Sequence, residues 1–219
     1  MSEPITKTRK GKAMSEHTPV VVISGAASGM GRATARLLAD AGYTVEGCDA
    51  VAADSVAQLD VRDDEAVRRW VDAVVARHGT IDAVVTFAGR ALVGAVEETA
   101  SDEAADLLDV NLLGTARVVR AALPVMRARR GGRVIVVSSG AGFVAQPYGA
   151  WYSASKAAVE KLGEGLRMET RQFGVDVATL MPGWTKTPIL QTAARVATPI
   201  AGYAAARTTA ERRSAQLLN

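Results

Sequence analysis

Several stretches of the chain are rich in β-branched and apolar positions and have the length of a strand. Val20-Val21-Val22-Ile23-Ser24 is the first, and Tyr43–Cys48, Ile81–Phe87, Arg133–Ser138 and Val175–Met181 follow. The first, β-branched and apolar throughout, predicts a strand buried on both faces, and the others are expected to be strands beside it. Asp60 follows Asp49 by eleven positions. That is too short for a long crossover helix, so Val56–Leu59 is expected to be a short strand reached by a compressed connection. The intervening segments change period. Val67, Trp70, Val71, Val74 and Val75 recur at helical spacing, which predicts an amphipathic helix with one stripe on the sheet. Arg32–Ala41 reads as a helix stopped by Gly42, Ser101–Arg130 as a long helix containing Asn111, and Tyr152–Phe173 as a helix stopped by Gly174. Strand and helix alternate, so the expected fold is α/β: a doubly wound parallel sheet between two helical layers. Ligands of such sheets sit outside the carboxyl ends of the strands. After Gly183 two helices are expected, Thr187–Val196 and Ala201–Leu218, with no further strand, so the sheet should have six strands.

Composition narrows the class. The 219 residues are 48% hydrophobic and 22% charged, values of a globular chain. No apolar run approaches the length of a membrane span and no signal-peptide core opens the chain, so a cytoplasmic location is expected. The net charge is +3, and residues 1–13 alone carry Lys7, Arg9, Lys10 and Lys12 against Glu3. The remainder is therefore neutral, and no nucleic-acid partner is expected. The expected organisation is a basic, disordered extension over 1–18 and one domain over 19–219, with 184–219 forming a substrate loop and helical part. Cys48 is the sole cysteine, and His17 and His78 belong to no cluster. Neither a disulfide nor a metal site is supported, so redox chemistry would need an organic cofactor.

The chemistry concentrates at the strand ends. Val20–Ser24 runs into Gly25-Ala26-Ala27-Ser28-Gly29-Met30-Gly31 and then into a helix. A glycine turn between strand and helix lets the backbone approach a pyrophosphate, which the helix N-terminus attracts. Asp49 ends the second strand eighteen residues beyond Gly31. An acidic residue there is placed to bind adenosine ribose hydroxyls and to repel a 2′-phosphate, so NAD is favoured over NADP. Ser139 stands at another strand end, with Tyr152 thirteen positions on and Lys156 four beyond that. Positions i and i+4 share a helix face. A tyrosine beside an ammonium group, with a serine opposite, can move a proton to or from an alcohol oxygen.

Taken together, these residues resemble the short-chain dehydrogenase/reductase family in its single-domain form, from Val20 to about Pro188. The resemblance rests on Gly25-x-x-x-Gly29-x-Gly31, Asp60-Val61, Ala88-Gly89, Asn111, Ser139, Tyr152-Ser153-Ala154-Ser155-Lys156, and Pro182-Gly183 followed by Thr187. It implies a Rossmann-like fold and a catalytic tetrad of Asn111, Ser139, Tyr152 and Lys156. It implies a dinucleotide held by Gly25, Ser28, Gly29, Met30 and Gly31, with Asp49 on the ribose and Asp60 and Val61 flanking the adenine. Ala88 and Gly89, Tyr152 and Lys156, and Pro182, Gly183, Thr185 and Thr187 at the nicotinamide would complete the set. The compressed segment after Asp49 resembles members that oxidise dihydrodiols, whereas residues 152–188 resemble the steroid- and retinol-type branch. Two departures stand out. The family's Asn-Asn-Ala-Gly is Thr86-Phe87-Ala88-Gly89 here, and the family's last strand has no counterpart.

The activity so implied is interconversion of a secondary alcohol and a ketone. Tyr152 would act as general acid/base, and Asn111 would position a water that relays protons to Lys156. Free tyrosine has a pKa of about 10, so a neutral-pH base needs a shift of roughly three units, about 4 kcal/mol. Ala141, Phe143, Val144, Tyr148, Trp151 and Trp184 are candidate pocket residues suited to an apolar or ring-bearing alcohol. Self-association as a homodimer or homotetramer through helices 101–130 and 152–173 is expected. A non-catalytic dinucleotide sensor on the same fold is the alternative.

Overall fold

A computed structural model describes residues 17–216. Strand β1 (Val20–Ser24), helix α1 (Gly29–Asp40), β2 (Thr44–Asp49), β3 (Val56–Gln58), α2 (Asp64–His78) and β4 (Ala83–Thr86) build the first half. A two-residue strand β5 (Leu92–Val93), α3 (Ser101–Leu108), α4 (Thr115–Arg129), β6 (Gly132–Val137), the single turn α5 (Gly140–Phe143), α6 (Ala150–Thr170) and β7 (Val175–Leu180) follow. The described chain closes with β8 (Ala194–Arg195) and α7 (Ala204–Gln216).

Six strands form one all-parallel sheet in the order β3-β2-β1-β4-β6-β7. Chain direction through the sheet reverses between β1 and β4, which makes the gap beyond their carboxyl ends the topological switch point. The strands form because Val, Ile and Cys side chains can be buried on both faces. Val20, Val22, Val84, Val134 and Val136 pack with α2, α4 and α6, while Val21, Ile23 and Val85 pack against Ala35 and Leu38 of α1. The α1 face is open over β6 and β7, where Arg133, Asp176, Ala178 and Leu180 are exposed. Helix α2 is bounded as its sequence predicts. Asp63 accepts the Ala66 amide at its start, and Gly79 takes a left-handed φ of 73° at its end.

Three expectations need correction. The expected helix over Ser101–Arg130 is interrupted. Asp109–Gly114 adopts π-helical turns between α3 and α4, with the Asn111 carbonyl accepting the Thr115 hydroxyl at 2.9 Å. Such bulges recur at functional sites. Thr187–Val196 is not a helix: Pro188–Leu190 makes one 3-10 turn. Ala194–Arg195 is a strand, absent from the sequence reading, and it pairs in parallel with Leu92–Val93. The expected extension over 1–18 lies outside the described residues except for His17 and Thr18.

Candidate active site

The β1–α1 turn is shaped by close backbone approach. Gly25 has φ 74°, and a Cβ there would come within 2.6 Å of the Ala88 amide. A Cβ at Gly31 would lie 2.0 Å from the Gly25 carbonyl. Only glycine fits either place. The Phe87 amide donates to the Ser24 carbonyl at 2.9 Å, so the end of β4 seats Ala88 and Gly89 beside the turn. Ser28 precedes the first turn of α1 without its side chain capping it. Met30 lies in that turn, half-buried.

Asp49 is already engaged by the backbone. One carboxylate oxygen accepts the Ala27 amide at 3.0 Å and the other accepts Val51 at 3.1 Å. It therefore shapes the turn it was expected to serve through the ribose. Asp60 accepts the Arg62 amide at 2.9 Å and pairs with the Arg62 guanidinium at 2.6 Å. The Arg62 hydrogen bond holds its carboxyl below the usual carboxylate range against partial burial. Val61 is buried against Gly114.

Strand β6 delivers Ser138 and Ser139, and α6 delivers Tyr152 and Lys156. Lys156 is 5% exposed. Its Nζ donates to the Val137 carbonyl at 3.1 Å and lies 5.9 Å from the Tyr152 ring centre. Burial lowers its pKa to about 8, because a desolvated ammonium is disfavoured. Burial raises the Tyr152 pKa, and the nearby Ser139 hydroxyl offsets this in part. The chain by itself thus favours the neutral phenol of Tyr152. Asn111 is completely buried. Its amide nitrogen donates to Arg90 O at 3.0 Å and Ser155 Oγ at 2.9 Å, and its Oδ1 accepts the Arg90 amide at 2.9 Å. Both side-chain N–H groups are used, leaving only acceptor capacity on Oδ1 for a relay. A Cβ added to Gly89 would lie 3.2 Å from Asn111 Oδ1 and 3.4 Å from Lys156 Nζ. Gly89 is therefore the point on which Asn111 and Lys156 converge.

The loop after β7 reaches the same crevice. The Gly140 amide donates to the Pro182 carbonyl at 2.9 Å, tying Pro182 to the loop that carries Ser139. A Cβ at Gly29 would meet Thr187 Cβ at 3.4 Å, so Thr187 faces the glycine turn across the crevice. Gly183 and Thr185 lie further out, with the Thr185 hydroxyl on Gly183 O at 3.1 Å.

Two supports were missed in the sequence. The Ser138 hydroxyl contacts the Lys156 carbonyl and Glu160 Oε1, each at 2.9 Å. This fastens the Ser139 loop to the face of α6 that carries Tyr152 and Lys156. The spacing 152, 156, 160 could have revealed Glu160, since all three share a helix face. The departure at Thr86 is visible too: its hydroxyl is buried with no hydrogen-bond partner among the described residues.

Comparison with known proteins decides the family. The short chain dehydrogenase family matches residues 19–196. The chain belongs to it. Among relatives of this short-chain dehydrogenase is a monensin polyketide synthase ketoacyl reductase, described as putative in its name, from Streptomyces virginiae. It is 37% identical over 88% of this chain and 78% of its own length. A 3-ketodihydrosphingosine reductase of Bacteroides thetaiotaomicron is 32% identical over 75% of this chain, which spans 63% of that relative. A short-chain dehydrogenase of Streptomyces avermitilis superposes with a TM-score of 0.82 and 36% identity over 91% of this chain and 78% of its own. NAD+-bound xylitol dehydrogenase (TM-score 0.72, 29% identity, 78% and 72% of the two chains) and ElxO with NADP bound (0.72, 28%, 80% and 77%) share the fold. The family's oxidoreductase chemistry uses a nicotinamide dinucleotide, and this chain's residues fit one. The glycine turn is backbone-tight, the α1 N-terminus lacks a side-chain cap, and buried Lys156 has one acceptor among the described residues for three donors.

Proposed function

We propose that this short-chain dehydrogenase interconverts a secondary alcohol and a ketone, with Tyr152 as the acid/base. The observation that carries the reading is the convergence of Asn111 and Lys156 on Gly89, with Tyr152 one turn before Lys156 on the same face of α6. The bound dinucleotide supplies or accepts the hydride. The neutral phenol of Tyr152 suits proton donation to a carbonyl oxygen, the reductive direction. Ser139 is placed to hydrogen-bond the same oxygen, and Lys156 to hold ribose hydroxyls through its remaining donors. Asn111 orients Gly89 and Arg90 through the backbone and leaves Oδ1 as the relay acceptor.

Asp49 supports NAD as the preferred cofactor. Its carboxylate stands at the end of β2, and Ala50 after it offers no positive charge to a 2′-phosphate. Structural relatives hold either NAD+ or NADP, so rates with both must be compared. An apolar substrate is supported by the linked loops after Ser139 and after β7, where Phe143 is 84%, Val144 63% and Trp184 42% exposed. Exposed apolar side chains gathered at a mouth mark a binding surface. The groove between α4 and α6, lined by Leu113, Leu123, Leu162 and Leu166, supports self-association through these helices.

The test follows absorbance at 340 nm with NADH and then NADPH over a panel of apolar ketones and alcohols. Tyr152→Phe should retain NADH binding and lose at least ~100-fold in kcat. A wild-type preference for NADPH would overturn the cofactor reading, and an active Tyr152→Phe would overturn the mechanism.

A further inference from the structure

The segment after Gly183 is fastened to the molecule at one buried carboxylate. Glu98 is 6% exposed. One oxygen accepts the Ala95 amide at 2.8 Å, the other accepts the Ile200 amide at 2.7 Å, and Arg207 Nη1 contacts both at 2.7 and 2.6 Å. Among ion pairs of the described residues it is the most enclosed, with side chains 13% and 0% exposed. Glu98 thus holds its own turn, the chain entering α7, and α7 itself. Helix α7 needs such an anchor, because Ala204-Ala205-Ala206-Arg207-Thr208-Thr209 offers no large apolar face to bury.

What the anchor holds in place lies against the reaction centre. The Ala194 amide donates to Ala91 O at 3.0 Å and Val196 to Val93 O at 3.2 Å. Val196 joins Leu92 and Leu107 in a buried cluster, and Trp151 and Tyr152 pack against that cluster. A Cβ at Gly94 would lie 2.1 Å from Val196 Cγ1, so the strap is seated as closely as a glycine allows. Nearby, Tyr203 donates to Glu97 at 2.6 Å and meets Tyr148 edge-on at 6.2 Å. Tyr148 itself holds a left-handed φ of 61°, a costly conformation that surrounding contacts must maintain.

We propose that Glu98 is a positioning residue: by clamping residues 194–207 it seats Val196 behind Tyr152 and keeps water from that side of the phenol. This role for Glu98 rests on Tyr152 acting as the acid/base. A buried pair that loses one member leaves an uncompensated buried charge. The strap should therefore detach as a unit when either partner is removed. Around Tyr152, Lys156 is the charged neighbour on its own helix and Ser139 faces it from the end of β6. Leu92, Leu107 and Val196 do not titrate.

The test uses the full chain with Glu98→Gln and, should that variant fold poorly, Arg207→Gln, which breaks the pair from the exposed helix. Amide exchange is read at Val196 and Ile200. The Tyr152 midpoint is read at 295 nm as the difference from a Tyr152→Phe partner in each background. Exchange at the two strap amides should quicken about tenfold or more while Val22, Val84 and Val136 keep their protection. The Tyr152 midpoint should fall towards the ordinary tyrosine value, and Arg207→Lys should restore both. Unchanged strap exchange overturns the clamp, and a released strap with an unmoved Tyr152 midpoint overturns the positioning. Neither readout needs turnover, so an active Tyr152→Phe would defeat the acid/base reading without blurring this result.

Discussion

On one side of the crevice Ser139 and Lys156 stand on β6 and α6, backed by Val134, Val136 and Val159, all fully buried. On the other, residues 194–216 are joined to the 91–98 loop by two strand bonds, one apolar contact cluster and the contacts of Ile200, Tyr203 and Arg207 with Glu97 and Glu98. The first wall is held by burial, which is non-directional and spread over many side chains. The second is held by a few directional bonds, so its stability is concentrated in Glu98 and Arg207. The difference teaches where precision and adaptability sit in this fold. The proton-handling groups are set in the part that cannot shift cheaply, and the substrate side is attached by contacts that one substitution can undo.

Four substitutions sharpen that contrast. Ile23→Ala removes a fully buried side chain from β1 and should cost about 2–5 kcal/mol in chemical denaturation. A loss below ~1 kcal/mol would mean the sheet is not the rigid wall described. Lys156→Met should abolish turnover yet raise stability at pH 7 by roughly 1–3 kcal/mol. The sign follows from the lowered pKa of about 8. Between about 8 and the unfolded lysine value of ~10.4 the unfolded chain binds more protons, so wild-type stability climbs with pH through that window. The advantage of Lys156→Met should shrink over the same interval, and a constant advantage would contradict the burial account. Thr86→Val replaces an unpartnered buried hydroxyl and should be neutral or stabilising by about 1 kcal/mol in thermal unfolding. Arg195→Ala removes an exposed pair with Glu211 and should change stability by less than ~1 kcal/mol. A larger loss would show that the strap's holding energy is spread along it rather than gathered at Glu98.

The same contrast explains what the sequence could disclose. A strand such as Val20–Ser24 announces itself, because burial on two faces demands a β-branched run at successive positions. Tyr152 and Lys156 were legible through i, i+4 spacing, and Gly25 and Gly31 through a turn only glycine can make. The strap was not. Ala194–Arg195 is too short to carry a period, and its pairing to Leu92–Val93 spans about a hundred positions. Glu98 and Arg207 are each ordinary surface residues until the fold places them together. The π-helical turns at Asn111 were hidden because a bulge leaves composition unchanged while shifting hydrogen bonds. Asp49 shows a subtler limit: its position was foreseen, but not that its oxygens hold the Ala27 and Val51 amides.

The most direct test of the central claim is the initial rate at 340 nm for wild type and Tyr152→Phe, each saturated with NADH, on an apolar ketone that wild type reduces. The account predicts matching NADH affinities and a fall of at least ~100-fold in kcat for the variant. Equal rates would contradict it.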